Sequence, residues 1–267
     1  MVEVARHTPA RVRKKANLVV QEHTIEKSDV PERMRIEVEK TTRAYEIGRS
    51  TGLFRVPRVL DHDECRGVAV FEKFGHLQSI RQKLTFSSDY RGLAERMARS
   101  LAAIHNLLEL PESMSIPLPR ELRHEGRSVF IHGDFSFNNV CIDLDDGALV
   151  ILDWQMTKIH GGIATYGTRY FDMAWFLSNL FNRRLHHCPF ACSASETAML
   201  FLRTYAHAAR AELDTEDYRG YLERFVTKMK HRRRKQWSLV RRMMLVANRY
   251  YWQQFVRCLA DCDSLAS

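Results

Sequence analysis

The chain is expected to be an α+β protein: β-rich with one helix over its first 75 residues, mainly helical afterwards. Three observations predict this division. Short apolar runs at 18–21, 59–60 and 68–71 alternate with polar and turn-forming residues. From about residue 90, apolar side chains recur at helical spacing, as in Leu93, Met97, Leu101, Ile104 and Leu108. One apolar hairpin, 130–154, interrupts the helical part and carries the most chemically loaded polar residues.

Residues 1–16 are basic, and 11–15 read as the end of a first strand. A second short strand follows at 18–21. Asp29, Pro31 and Glu32 form a helix start, with Asp as cap, Pro in an early position and Glu in the first turn. That helix should run over 33–49 and stop near Gly52. Residues 59–60, 61–63 and 68–71 read as strand, turn and strand, with a strand exit over 71–75. A helix over 90–108 leads to a proline-bounded linker, 111–119. After the hairpin come Gly161-Gly162 and helices at about 170–183, 194–212, 216–230 and 236–260. The expected units are 1–75 and 76–267.

Length and composition narrow the class. At 267 residues the chain suits one or two domains and can bury a sizeable core. Its 45% hydrophobic and 27% charged content is that of a globular protein, not of a disordered one. No apolar run approaches 18 residues, and the N-terminus lacks the apolar stretch of a signal peptide, so a cytoplasmic location is expected. The net charge of +9 favours anionic partners over a polycationic one.

The hairpin delivers the chemistry. A short apolar run leads into His132-Gly133-Asp134, Asn139 follows, and a second apolar run ends at Asp153. Between them Asp145-Asp146-Gly147 is a hairpin turn signal. Asp134, Asn139 and Asp153 are thereby brought to one end of the hairpin. Mg²⁺ takes hard oxygen ligands from one or two carboxylates plus substrate phosphates. Asp153 and Asn139 suit that task, leaving Asp134 to accept a proton from an attacking hydroxyl, the division of labour in kinase-type phosphoryl transfer.

This pattern resembles the aminoglycoside phosphotransferase/choline kinase family, relatives of protein kinases. Three further stretches agree in order and distance: 56–60, the helix end at Leu101–His105, and 171–175 around Asp172. The matches span 56–175. The resemblance implies a bilobal protein-kinase-like fold, with a small β-rich N-lobe and a mainly helical C-lobe. It implies ATP and Mg²⁺ as cofactors and γ-phosphoryl transfer to a small-molecule hydroxyl. Asp134 would be the catalytic base, with Asn139 and Asp153 as metal ligands. His132 and Asp172 would support the loop, and Glu72 in the 71–75 hinge would meet adenine through backbone groups.

The chain departs from the family pattern in three places. Gln21 falls where a strand Lys is expected to reach the phosphates, and Lys14 and Lys15 serve only under a different register. Glu37 and Glu39 both offer a helix partner, and Glu39 is carried with Gln21 and Glu72 in the expected nucleotide set. No glycine precedes Gly48, so a Gly-rich phosphate loop is missing, and Gln155 stands where the family often has Glu. These departures keep a catalytically silent nucleotide-binding or scaffold protein as the alternative function. The acceptor implied is a small molecule, and the charge balance tilts the choice toward a neutral or anionic sugar, including a lipopolysaccharide core sugar.

Two more features need a reading. The basic run 228–242 is most simply a solvated helix face. Its functional alternative is contact with an anionic glycan or the inner membrane face, nucleic acid not being expected; aromatics beyond it recur at core-like helical spacing. Six cysteines, Cys65, Cys141, Cys188, Cys192, Cys258 and Cys262, lack zinc-finger spacing and are expected as reduced thiols.

Overall fold

A computed structural model describes residues 13–15, 18–86, 90–157, 162–181, 191–211, 213–233, 253, 255–257 and 259. Its first part is a five-stranded sheet of β1 (Arg13–Lys15), β2 (Leu18–Val20), β3 (Thr24–Ser28), β4 (Val59–Asp63) and β5 (Val68–Glu72). The order is β1-β2-β3-β5-β4, every pair antiparallel. Strand β3 was not expected from the sequence. Its Thr-Ile-Glu-Lys-Ser run lacks the apolar alternation of a half-buried strand, because β3 is only partly buried along its whole length.

Helix α1 (Pro31–Thr51) lies between β3 and β4 and buries Met34, Glu37, Lys40, Thr41, Ala44, Ile47 and Gly48 on one face. Its cap differs from expectation. Val30 is the capping residue and makes no side-chain cap bond, while the Asp29 carboxylate accepts the Val30 N–H and pairs with Arg33. Strand β5 turns Ala69 and Phe71 onto α1, where Met34 meets them. Register puts Lys27 opposite Ala69 and Ile25 opposite Phe71, so both β3 residues lie on that same face.

The remainder is mainly helical. Strand β6 (Leu77–Ser79) leads into α2 (Ile80–Phe86) and then α3 (Tyr90–Leu107). Strand β7 (Ser128–Phe130) precedes the hairpin of β8 (Val140–Asp143) and β9 (Leu149–Ile151), and β10 (Tyr166–Thr168) follows. These make two small sheets, β6-β8-β9 and β10-β7. The expected Asp145–Gly147 turn closes the hairpin, with Gly147 at φ +76. Helices α4 (Tyr170–Phe181), α5 (Ala191–Ala209) and α6 (Thr215–Arg233) complete the fold.

The large core belongs to the helical part. Helix α3 packs along α5 through Leu101, Ile104, Phe201 and Tyr205, and α4 is buried on nearly all sides. Each fully buried side chain of this size contributes roughly 1.5–3 kcal/mol. That rigid block carries the hairpin. The link to the first sheet is short and direct: the Arg55 N–H donates to Leu149 O, and the Ile151 N–H donates back to Arg55 O. Among the described residues no helix is long and apolar enough to cross a membrane.

Candidate active site

The loop between β7 and β8 is built from its backbone outward. Asp172, fully buried on α4, accepts the N–H groups of His132 at 2.7 Å and Gly133 at 2.9 Å. His105 of α3 holds the same carboxylate at 3.0 Å, and its other ring nitrogen meets the Tyr205 hydroxyl at 2.6 Å. Burial pushes the Asp172 carboxyl up, but these donors outweigh it and hold the group below its ordinary value. Gly133 sits at φ +89, and a Cβ there would come within 3.0 Å of the Met156 backbone. Only glycine fits that turn without strain.

His132 is fully buried and accepts the Asp134 N–H through Nδ1. Burial pushes its pKa down to about 3, so it stays neutral and braces the loop. The Asp134 carbonyl accepts from the Ser136 N–H and the Asn139 side-chain amide, which winds the loop into a tight turn. Burial pushes the Asp134 carboxyl up to about 6, against the pull of a 2.5 Å hydrogen bond from the Trp175 indole. A carboxylate near that value accepts a proton at neutral pH and returns it readily.

The second half of the site comes from three separate elements. The Lys27 ammonium on β3 lies 2.7 Å from Glu37 on α1 and 2.8 Å from Asp153 beyond β9. Burial pulls the Lys27 amine down, yet Glu37 and Asp153 together outweigh it and leave it above its ordinary value. Asp153 is held at φ +57, a left-handed conformation rare for a residue with a side chain. The Leu152 N–H donates to Asn139 O, which ties the Asp153 segment directly to the loop. Contacts therefore run from Asp134 through Asn139 and the Asp153 segment to Lys27 and Glu37, joining the helical block to the sheet.

Two expected nucleotide residues are corrected by this geometry. Gln21 lies exposed in the β2–β3 turn, where its amide oxygen accepts from Thr24; the strand lysine is Lys27 instead. Lys14 and Lys15 lie on β1, which pairs only with β2. Glu39 faces outward and pairs with Arg43, so the helix partner is Glu37. The first correction has a plain cause: without β3 in the reading, the lysine was sought one strand too early. The second follows from helix phase, since Glu37 shares the buried face of α1 with Met34 and Ala44. Glu72 ends β5 as expected, but its carboxylate accepts the Arg58 N–H and lines a separate cavity of about 680 Å³ with Arg49, Arg55 and Arg96. The Glu72 backbone N–H donates to the Arg58 carbonyl at 2.9 Å, and the residue pairs with Thr24 of β3.

One buried residue was missed altogether. Lys40 is 0% exposed and donates to the His132 carbonyl at 2.6 Å, pinning α1 to the catalytic loop. Burial pushes its pKa down to about 8. A signal existed, since Lys40 falls three residues from Glu37 and four from Ala44 on the inward face of α1. Gln155 also ties the lobes together, accepting a hydrogen bond from Arg33 at 3.0 Å.

The donor set fits a magnesium ion. The Asn139 amide nitrogen is committed to the Asp134 carbonyl, which leaves its oxygen as the acceptor, and Asp153 is 44% exposed. Among the described residues no group of three or more His, Cys, Asp or Glu could hold a metal by themselves. Two protein oxygens completed by phosphates is a usual Mg²⁺ arrangement. Among the cysteines with described side chains, Cys65 is exposed and Cys141 buried, both free; Cys188, Cys192, Cys258 and Cys262 lie outside the described side chains. Within the basic run 228–242 only Lys228 is described, paired with Glu121, and the remaining side chains lie outside the described set.

The fold is the α+β architecture of protein-kinase-like proteins, a β-rich first part against a mainly helical second part. Residues 117–217 match the model of the phosphotransferase enzyme family known as APH, a span that holds Asp134, Asn139, Asp153 and Asp172. A choline/ethanolamine kinase family protein from Mesorhizobium loti is similar in structure, with a TM-score of 0.53 at 14% identity, covering 92% of this chain and 88% of that one. A glucosamine kinase gives a TM-score of 0.51 at 15% identity, covering 93% and 72%. An aminoglycoside phosphotransferase from Streptomyces rimosus gives 0.46 at 17% identity, covering 78% and 87%. No curated protein matches the chain in sequence. The first two likenesses carry the fold, and the resemblance read from the sequence agrees with them and with the family match.

Proposed function

We propose that this protein transfers the γ-phosphoryl group of ATP to a hydroxyl of a small molecule, using Asp134 as the base. The observation that carries the reading is Lys27, bridged to Glu37 and Asp153 at 2.7 and 2.8 Å. It supplies the phosphate-binding cation whose apparent absence supported a silent protein, and it supplies it in the same chain of contacts as Asp134.

In this reading the Lys27 ammonium meets the nucleotide phosphates, with Glu37 holding it in place. The main chain around Glu72 receives the base. Asp153 and Asn139 would hold Mg²⁺, which when bound neutralises developing charge on the phosphates. Asp134 takes the proton from the acceptor hydroxyl as its oxygen attacks phosphorus, and the leaving group is ADP. Positioning and charge neutralisation account for most of the acceleration in such transfers.

The acceptor class we propose is a neutral or anionic sugar, including a membrane-linked core sugar. The net charge of +9 supports this over a polycationic acceptor. The test begins with thermal melts in ATP, with and without Mg²⁺. Nucleotide at ~100 times its dissociation constant adds about 2.7 kcal/mol, and each kcal/mol moves a domain of this size by roughly 2–4 °C. A metal-dependent rise of several degrees supports the reading, and a panel of sugars, amino sugars, choline and aminoglycosides then identifies the acceptor. No shift at millimolar ATP returns the protein to the silent class.

A further inference from the structure

Helix α4 grips the catalytic loop at two points on one face. Asp172 and Trp175 are three residues apart, so they project from the same side of the helix. Asp172 takes the backbone N–H groups of His132 and Gly133. Trp175 reaches the next residue, and its indole N–H donates to Asp134 Oδ1 at 2.5 Å. Three consecutive loop residues are thus held by one helical face.

The second contact differs in kind from the first. It engages the side chain of the base itself. The terminal torsion of an Asp side chain is broad and roughly two-fold, so a carboxylate without a fixed donor turns easily. An indole nitrogen is a donor only, and a hydrogen bond to an ionised acceptor is among the strong ones. Trp175 is 4% exposed and its ring packs edge-on against Phe225 of α6, with centroids 6.3 Å apart. The donor therefore cannot follow a drifting carboxylate.

We propose that Trp175 is a positioning residue for phosphoryl transfer: it fixes Oδ1 of Asp134 so that Oδ2 faces the acceptor hydroxyl. This rests on the reading of Asp134 as the base. It assigns a job to a residue that any large apolar side chain could replace if it were only core.

Trp175→Phe keeps the ring and removes the donor. Turnover with Mg²⁺-ATP, read with the acceptor from the panel or with water, should lose about 10- to 100-fold in kcat, the scale on which misplaced reacting groups act. The KM for ATP should stay unchanged, and a melt should show the variant folded. A folded variant with kcat within two-fold of the parent overturns the proposal while leaving the phosphotransfer reading intact. An independent measurement needs no turnover and no Trp variant. The chain has four tryptophans, and one indole N–H resonance in a ¹H–¹⁵N spectrum should lie downfield and move upfield in Asp134→Ala. Four unmoved resonances overturn the contact. A moved resonance in a protein that transfers phosphoryl to nothing keeps the contact but removes the reaction, and the positioning role falls with it.

Discussion

The two halves of the site are held in opposite ways. The catalytic loop is fastened by short backbone bonds to buried groups: Asp172, His132 and Lys40 are all 0% exposed. The Lys27–Glu37–Asp153 cluster is fastened by charge, with Lys27 20% and Asp153 44% exposed. Buried, fully partnered polar groups specify one geometry. Partly exposed ion pairs exchange partners cheaply, because water screens them. The loop is thus a rigid platform, and under the proposed function the cluster is the part that would reorganise around phosphates and a cation, Asp153 exchanging Lys27 for the metal.

The largest expected effect falls on the rigid half. Asp134→Asn removes the proton acceptor and should lower kcat by about 10²–10⁴-fold, with a melting temperature at neutral pH no lower than the parent's. Full activity would remove Asp134 from its role. Asp172→Asn attacks the platform instead, leaving N–H groups and His105 facing a neutral amide. Burial keeps His105 neutral, so the loss is of hydrogen bonds to a carboxylate. Buried donors left without a full partner cost about 1–3 kcal/mol each, and the melting temperature should fall by several degrees, at roughly 2–4 °C per kcal/mol. A fall of only a degree or two would mean the loop is held by something else.

Breaking the charged half should cost less in stability and more in nucleotide binding. Lys27→Met strands the buried Glu37 carboxylate, for roughly 1–3 kcal/mol. It should also abolish most of the thermal gain from Mg²⁺-ATP. Asp153→Asn should lose that gain with little change in the unliganded melt. If both variants still respond fully to Mg²⁺-ATP, the nucleotide binds elsewhere and the comparison fails.

A pH profile sharpens the same contrast. Burial holds Asp134 at about 6, and as the proposed base it would act only when ionised. Turnover should therefore fall as pH drops through about 6, read as the acid limb of kcat/KM. The stability sign is opposite. The folded state holds this proton more tightly than the unfolded one, so ionising Asp134 costs stability as pH rises from 3.8 to about 6. Asp134→Asn should remove that component. The smallest effects belong to Gln21→Ala and Glu39→Ala, which touch an exposed turn and an exposed i,i+4 pair. Each should stay within about 0.5 kcal/mol and leave the Mg²⁺-ATP response unchanged.

The sites legible in the sequence are those made by neighbours. Asp134, Asn139 and Asp153 come together because two short strands, a glycine turn and a two-residue pleat bring them there, and each of those leaves a local pattern. His132 and Asp172 were readable through their place in a motif. Helices 90–108 and 216–230 were readable from period alone and differ from α3 and α6 only at their ends. Strand β3 was not readable, because a strand half-covered on both faces shows no alternation. That omission moved the expected lysine to Gln21, and Glu37 was told from Glu39 only by the face of α1 that is buried.

By itself, then, the sequence determined the division into a β-rich first part and a mainly helical second part, the long helices, and the hairpin that groups Asp134, Asn139 and Asp153. Hydrogen-bonded turns and apolar periods act over a few residues, and their signatures are written at that range. Tertiary structure alone decided which charges meet. Lys27 and Asp153 are separated by 126 residues, Lys40 and His132 by 92, and Trp175 and Asp134 by 41. No period or spacing connects such pairs. They are joined by the packing of the sheet on the helical block, which turns Lys27, Glu37 and Lys40 inward toward the loop and makes burial the reason each needs its partner.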